Sequence, residues 1–247
     1  MLGLVPRATP ETRFQDLIDA ATGVFIAQGY RRTQMADVAD AMGVAKGTLY
    51  LCVESKEALF DAVLRCADAP RPIALPRVLP VPTPAPGRTL RYVRERLSEL
   101  PASPTLRDAL AGSRGRAGAD RLEPILQEIY DAMARNRTGI KLVDRCAAEY
   151  PALAKIWFAD GRHALLAELG AYLQAGSRAG ELRTGFDVPV AARLVIETLV
   201  FWAVHRHWDP APQPVDPAVA RQTVVRMLVL ALADGASRTP GGVRDRR

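Results

Sequence analysis

From Phe14 the apolar residues fall at Phe14, Leu17, Ile18, Ala21 and Phe25, a spacing that lays one stripe along a helix. Gly29 is a stop for that helix. Thr33 is a good N-cap for a short helix carrying Met35, Val38, Ala39 and Met42, and Gly43 breaks it. A second short helix is expected over 45–52. Ser55 can cap a fourth, with Ala58, Leu59, Ala62 and Val63 facing inward. Seven prolines then stand between 70 and 86. No helix or central strand survives that density. The segment is expected to be an extended, semi-stiff connector, lying as a lid or brace across a second unit.

Beyond it the helical pattern resumes. Leu90, Val93, Leu97 and Leu100 form one stripe, and 112–118 is a flexible gap. Long amphipathic segments follow over 122–150 and 152–174, with Pro151 suited to the first turn of the second. Gly176, Gly180 and Gly185 punctuate a loop. Asp187 begins a helix to about 208, and Pro210, Pro212 and Pro214 make a hinge. Asp216–Pro217 is a cap followed by a first-turn proline, and starts a helix ending near 234. No segment sustains two-residue alternation, so the expected fold class is all-α. The expected organisation is a three-helix helix-turn-helix domain over 1–66, the connector over 67–87, a helical regulatory domain over 88–236 and a disordered basic tail over 237–247.

Composition supports this. Hydrophobic residues make up 49% of the chain and aromatics 6%, with Ala and Leu abundant, which favours helix. The three cysteines, Cys52, Cys66 and Cys146, form no CxxC pair. A disulfide framework or zinc site is not expected, and a reducing cytoplasm is the natural compartment. Arg7, Glu11 and Arg13 interrupt any apolar leader, and the apolar runs near 194–204 and 224–233 are too short to span a bilayer. The net charge of +6 invites a nucleic-acid reading. Its distribution does not, because seven basic residues face eight acidic ones up to Arg65. Any case for DNA binding therefore rests on local arrangement.

That arrangement is specific. Two short helices joined by Gly43-Val44 have helix-turn-helix dimensions. The glycine permits a left-handed turn, Val44 inserts between the helices, and Met35, Val38, Ala39 and Leu49 complete their core. The second helix would then enter the major groove. Residues 29–60 read GYRRTQMADVADAMGVAKGTLYLCVESKEALF. This run resembles the TetR family signature over about residues 11–66. The resemblance implies a homodimeric DNA-binding regulator that recognises a double-stranded operator.

The side chains make chemical sense of it. Thr33 and Gln34 lie at a helix N-terminus, where amides favour a phosphate. Lys46 and Thr48 project from the recognition helix, and Gly47 permits close approach. Tyr50 can hydrogen-bond a phosphate, and Lys56 can clamp the DNA backbone. Ala45 stands where the family often has Ser, so a cap worth about 1 kcal/mol is missing. Leu51 and Cys52 replace aromatic or His residues, and Val53 replaces Phe. Leu51 either meets a thymine methyl or packs.

The run KLVDRCAAEYPALAKIWFADGRHALLAELGAYLQAGSRAGELR is similar to the AefR-like type of TetR C-terminal domain, which implies regulation and dimerisation. Tyr92, Tyr130, Trp157, Phe158 and Tyr172 line either a ligand pocket or ordinary core. Arg162 and His163 either anchor an acidic effector or lie on a solvated face. His205 and His207 diverge on a helix and do not suggest a metal site. The run from Gly43 to Thr48 lacks the order and the preceding strand of a phosphate loop. Among 224–233 only Arg226 is polar, so that helix must be buried on more than one side. Val224, Met227, Leu228 and Ala231, with Leu194, Val195, Thr198, Leu199 and Trp202, are the expected dimer interface, two helices from each chain.

The expected function is a homodimeric regulator, a repressor of a near-palindromic operator released by an unidentified small-molecule effector. No cofactor, metal, membrane or catalytic role is expected. The alternative is a helical small-molecule-binding protein with weak or non-specific DNA binding.

Overall fold

The computed structural model describes residues 9–99, 103–111 and 118–234. The basic tail and most of the 112–118 gap lie outside them. The described residues are helical, with two isolated β-bridges and no strand, so the fold class is all-α. No helix among them is long and apolar enough to cross a membrane.

Helix α1 spans Pro10–Gln28. Thr9 accepts from the Thr12 amide at 3.3 Å, and Pro10 opens the first turn. Its stripe of Phe14, Leu17, Ile18, Ala21 and Phe25 is buried, as the spacing predicts. Gly29 ends it at φ 84°, a backbone that side chains avoid. Helices α2 (Met35–Met42), α3 (Lys46–Leu49) and α4 (Lys56–Cys66) follow. Ser55 caps α4, accepting from the Ala58 amide at 3.1 Å.

Packing divides the chain into two units, residues 1–100 with 135–161, and residues 101–134 with 162–247. This differs from the sequence boundaries. Helices α5 (Arg88–Glu99), α8 (Arg137–Ala147) and α9 (Pro151–Ala154) belong with the N-terminal helices. The reason lies in helix ends. Asp68, just past α4, accepts from the Thr138 and Gly139 amides at 2.9 and 2.8 Å and so caps α8. The last turn of α1 has no basic residue. Arg145 of α8 supplies one, donating to the Ala27 and Gln28 carbonyls at 3.4 and 3.2 Å, where positive charge suits a helix C-terminus.

The described bonds of the proline-rich segment strap the first unit. Arg71 pairs with Asp19 at 2.7 Å, and the Ile73 amide donates to Gln15 Oε1 at 2.8 Å. Ile73 itself is buried. Further on, the Val81 amide donates to the Cys52 carbonyl at 2.7 Å, and the Glu54 amide donates to the Val81 carbonyl at 3.0 Å. The Thr83 amide then donates to Glu54 Oε2 at 2.8 Å. Prolines removed the donors needed for helix or ladder, but the residues between them, Val81 and Thr83, keep theirs. Those few amides tie an extended backbone down.

The second unit holds α6 (Pro104–Ala111), α7 (Ala119–Arg135), α10 (His163–Arg178), α11 (Val188–Ala203) and α12 (Pro217–Leu232). Its core includes Leu106, Leu122, Ile125, Ile129, Leu169 and Tyr172. Burial works against the Glu128 carboxylate, but hydrogen bonds from Ser103, the Thr105 hydroxyl and the Thr105 amide hold its pKa below the ordinary value. Asp187 caps α11 and Asp216 caps α12, as expected. Arg221 ties α12 to Asp131 of α7 through two bonds of 2.6 and 2.7 Å.

Candidate nucleic-acid interface and ligand cavity

The turn between α2 and α3 is built on Gly43, at φ 65° and ψ 33°. Its left-handed backbone lets the Gly43 amide reach the Asp40 carbonyl and the Val44 amide reach the Ala39 carbonyl, at 3.1 and 3.0 Å, so the orphan carbonyls of α2 are satisfied. Met35, Val38, Ala39 and Leu49 are buried, as the sequence predicts, whereas Val44 is only half-buried. Ala45 is the N-cap of α3 and contributes no side-chain bond. α3 is shorter than expected, four residues followed by turns.

Leu49 is 1% exposed and anchors α3. Around it Lys46 and Gly47 are exposed, Thr48 is half-buried, and Tyr50 and Leu51 are 42% and 62% exposed. Leu51 therefore does not pack within its own domain. Cys52 and Val53 are buried and face the core. Burial also pushes the Cys52 thiol pKa up.

Three residues expected at the DNA make bonds within the fold. Thr33 does not cap α2, because its hydroxyl is buried and donates to the Gly29 carbonyl at 2.7 Å. Gln34 takes the cap position, and its amide is occupied by Asp37 Oδ2 at 2.7 Å. The α2 N-terminus thus already holds a carboxylate where a phosphate was expected, although the Gln34 side chain is exposed. Lys56 Nζ reaches the Tyr30 and Thr33 carbonyls at 3.2 and 3.1 Å and lies 4.7 Å from the Tyr30 ring centroid. Tyr30 in turn stacks on Tyr150 at 5.5 Å, and burial, then Glu57, raises its phenol pKa. Lys56 and Tyr30 therefore brace the loop ahead of α2.

Of the expected pocket residues Tyr92, Tyr130, Trp157, Phe158, Arg162 and Tyr172, three belong to each unit. Tyr92 and Trp157 line a cavity of about 430 Å³ in the first unit, between α4, α5 and α8. Trp157 sits on a π-helical stretch, Lys155–Arg162, and donates to Asp144 at 3.0 Å. Val93, Leu97, Ile140 and Val143 supply apolar walls, and Arg65, Asp68, Arg96 and Asn136 the polar ones. Arg65 is bound to Asp61 at 2.7 Å and stacks 4.2 Å from the Tyr92 centroid. Phe158 does not line this cavity. Tyr130 and Tyr172 are core residues of the second unit, their hydroxyls donating to the Trp202 and Gly118 carbonyls. Arg162 pairs with Glu197. Arg65, Arg96 and the α8 residues were missed because nothing local in the sequence pairs α5 with α8.

The expected interface stripe also separates. Val195, Leu199 and Val224 are buried in the second unit's own core. Thr198, Trp202 and Leu228 are half-buried, while Ala231 is exposed. Leu194 and Met227 are 62% and 66% exposed, and Val190, Phe201, Val219 and Leu230 extend an exposed apolar face that sequence reasoning missed. No cluster of three or more His, Cys, Asp or Glu suited to a metal occurs among the described residues.

A short recognition helix on a glycine turn, held in an all-α chain with a second helical unit, defines the class of helix-turn-helix DNA-binding regulators. Residues 17–63 match the family model for bacterial regulatory proteins of the tetR family. Residues 120–232 match the AefR-like transcriptional repressor C-terminal domain, and together the two cover more than half the chain. The HTH-type transcriptional repressor KstR2 of Rhodococcus jostii is 26% identical over 218 residues, spanning 85% of this chain and 86% of that protein. The fold is similar to that of the ketosteroid transcriptional regulator KstR2 of Mycobacterium tuberculosis, with TM-score 0.54, 19% identity and coverage of 90% and 95%. It is also similar to a tetR-family regulatory protein from Rhodococcus RHA1, with TM-score 0.51, 18% identity and coverage of 92% and 98%. The chain belongs to the TetR family of transcriptional regulators, with a C-terminal domain of the AefR-like type.

Proposed function

We propose that the protein is a homodimeric repressor in the cytoplasm that binds a near-palindromic operator and releases it when a small molecule occupies the α4–α5–α8 cavity. One observation carries the DNA half: α3 is pinned by buried Leu49 and turns Lys46, Gly47 and Tyr50 to solvent. Lys46 and Thr48 reach base edges, Tyr50 reaches a phosphate, and Leu51 offers an apolar contact to a thymine methyl. The exposed apolar face of α11 and α12 supports dimerisation, because a two-fold pair of such faces covers itself. Dimer symmetry then sets the half-site spacing.

The cavity supports the ligand half. Its aromatic and aliphatic walls suit a mostly apolar molecule, and Arg96 and Asn136 offer polar contacts. Its volume falls within the ordinary range for small-molecule sites, about 300–1,000 Å³. Such a ligand acts only through different affinities for the two conformations.

The test is selection of duplexes from a random pool by the purified protein, followed by band shift. An enriched inverted repeat, lost with Lys46→Ala or Tyr50→Ala, is the expected result. Equal binding to every duplex would overturn operator recognition and leave a helical ligand binder. A compound library screened by thermal shift reads the cavity, and Trp157→Ala should abolish a hit's shift.

A further inference from the structure

The proline-rich strap carries an exposed cation, Arg77, four residues before the point where Val81 bonds to the chain just past α3. Two anchors fix it: the Ile73 amide on Gln15, and Val81, whose amide and carbonyl both bond to the backbone of 52–54. Between the anchors, Arg77, Val78 and Leu79 are exposed, Val78 at 64%. Arg77 makes no ion pair or hydrogen bond to any of the described residues, whereas the strap's other arginine, Arg71, is tied to Asp19. Val81 pairs with Val53, two residues past the exposed Leu51 of the recognition turn. The Val81 end of the strap is thus tethered next to the recognition turn, and Arg77 lies four residues from it in sequence.

Charge favours DNA as the occupant. Up to Arg65 the head carries seven basic against eight acidic residues, and Lys56 is spent on backbone carbonyls. Phosphate contacts supply most of the affinity of such modules, so a cation mounted on a hydrogen-bonded strap adds what the head lacks. We propose that the strap is an additional DNA-contacting element, with Arg77 on a backbone phosphate flanking the groove that α3 reads. This rests on the operator-binding function proposed above.

The experiment measures affinity across a salt series, using the duplex that the wild-type protein selects from a random pool. Arg77→Ala should weaken binding about 3- to 10-fold at roughly 0.1 M salt and lower the log–log salt slope by about one per head. Arg77→Lys should keep the slope, and Arg77→Glu should weaken binding further than Ala. Unchanged affinity and slope in Arg77→Ala, with Lys46→Ala still defective, would overturn the strap contact alone. If the wild-type protein selects no duplex, operator binding and the strap contact fall together. Circular dichroism and the thermal midpoint should match wild type in each variant, because Arg77 makes no ion pair or hydrogen bond among the described residues.

Discussion

The Glu149 carboxylate accepts from Arg32 Nε and Nη2 at 3.0 and 2.7 Å. This joins the loop ahead of α2 to the chain just past α8, over 117 residues of sequence. Arg32 holds the Glu149 pKa below its ordinary value, with burial opposing and Arg145 assisting.

A pH dependence follows from that pair. A carboxyl whose folded pKa is depressed stabilises the fold above its unfolded pKa, about 4.3 for Glu. That contribution is lost as pH falls through the folded value. Glu149→Gln should therefore lower the thermal midpoint at neutral pH, and the gap to wild type should close on acidification below about pH 4. Scanning calorimetry from neutral to acid pH reads this. A gap that stays constant would mean that charge is not what links the two segments.

Two glycines in one stretch of chain should respond oppositely to the same change. Gly29 sits at φ 84° and ψ 168°, a region populated almost only by glycine. A Cβ there would lie 2.9 Å from Glu149 Oε2. Gly29→Ala should destabilise by about 1–3 kcal/mol. Gly23 lies within α1, and a Cβ there would meet nothing within 4 Å among the described residues. Gly23→Ala should stabilise by about 0.5–1 kcal/mol. Urea unfolding of both variants separates backbone strain from a general intolerance of alanine.

The recognition helix lacks a side-chain cap because its N-cap is Ala45, at φ −67° and ψ 140°. That extended backbone already has N-cap geometry. Ala45→Ser should let the hydroxyl accept an amide of the first turn and stabilise by about 0.5–1 kcal/mol. In a helix of only four residues, the added order should also tighten operator binding. A serine that leaves both unfolding and band shift unchanged would mean the first turn is already satisfied by water.

Local signals were readable and long-range ones were not. Caps at Ser55, Asp187 and Asp216 and the turn at Gly43 depend on a few neighbouring residues, so the sequence predicts them correctly. Thr33 misled because a threonine before a helix looks like a cap, and only the fold reveals that its hydroxyl turns back to Gly29. Lys56 looked like a phosphate clamp until Tyr30 and Thr33 brought their carbonyls to it from 26 and 23 residues away. The strap had the same difficulty. Prolines exclude helix, but nothing in 70–86 says which surface the remaining amides will find. The cavity depends on α5 meeting α8 across a long insertion of sequence, which periodicity does not encode. Periodicity also could not divide the apolar residues of α11 and α12 between an inner face, with Val195 and Leu199, and an outer one.

That outer face gives the last prediction. Leu194 and Met227 are 62% and 66% exposed in the single chain, and burying one such side chain contributes about 1.5–3 kcal/mol. Paired across a two-fold axis, each substitution is felt twice. The double variant Leu194→Asp with Met227→Asp should sediment as a monomer while keeping its helical circular dichroism, because neither residue is part of its own unit's core. Without the partner head, operator affinity should fall by roughly 10²–10⁴, the usual gain from a second linked site. Val195→Asp is the contrast: Val195 is 2% exposed, so that variant should lose helical structure rather than dissociate. A folded Leu194/Met227 variant that remains dimeric would place the interface on another surface.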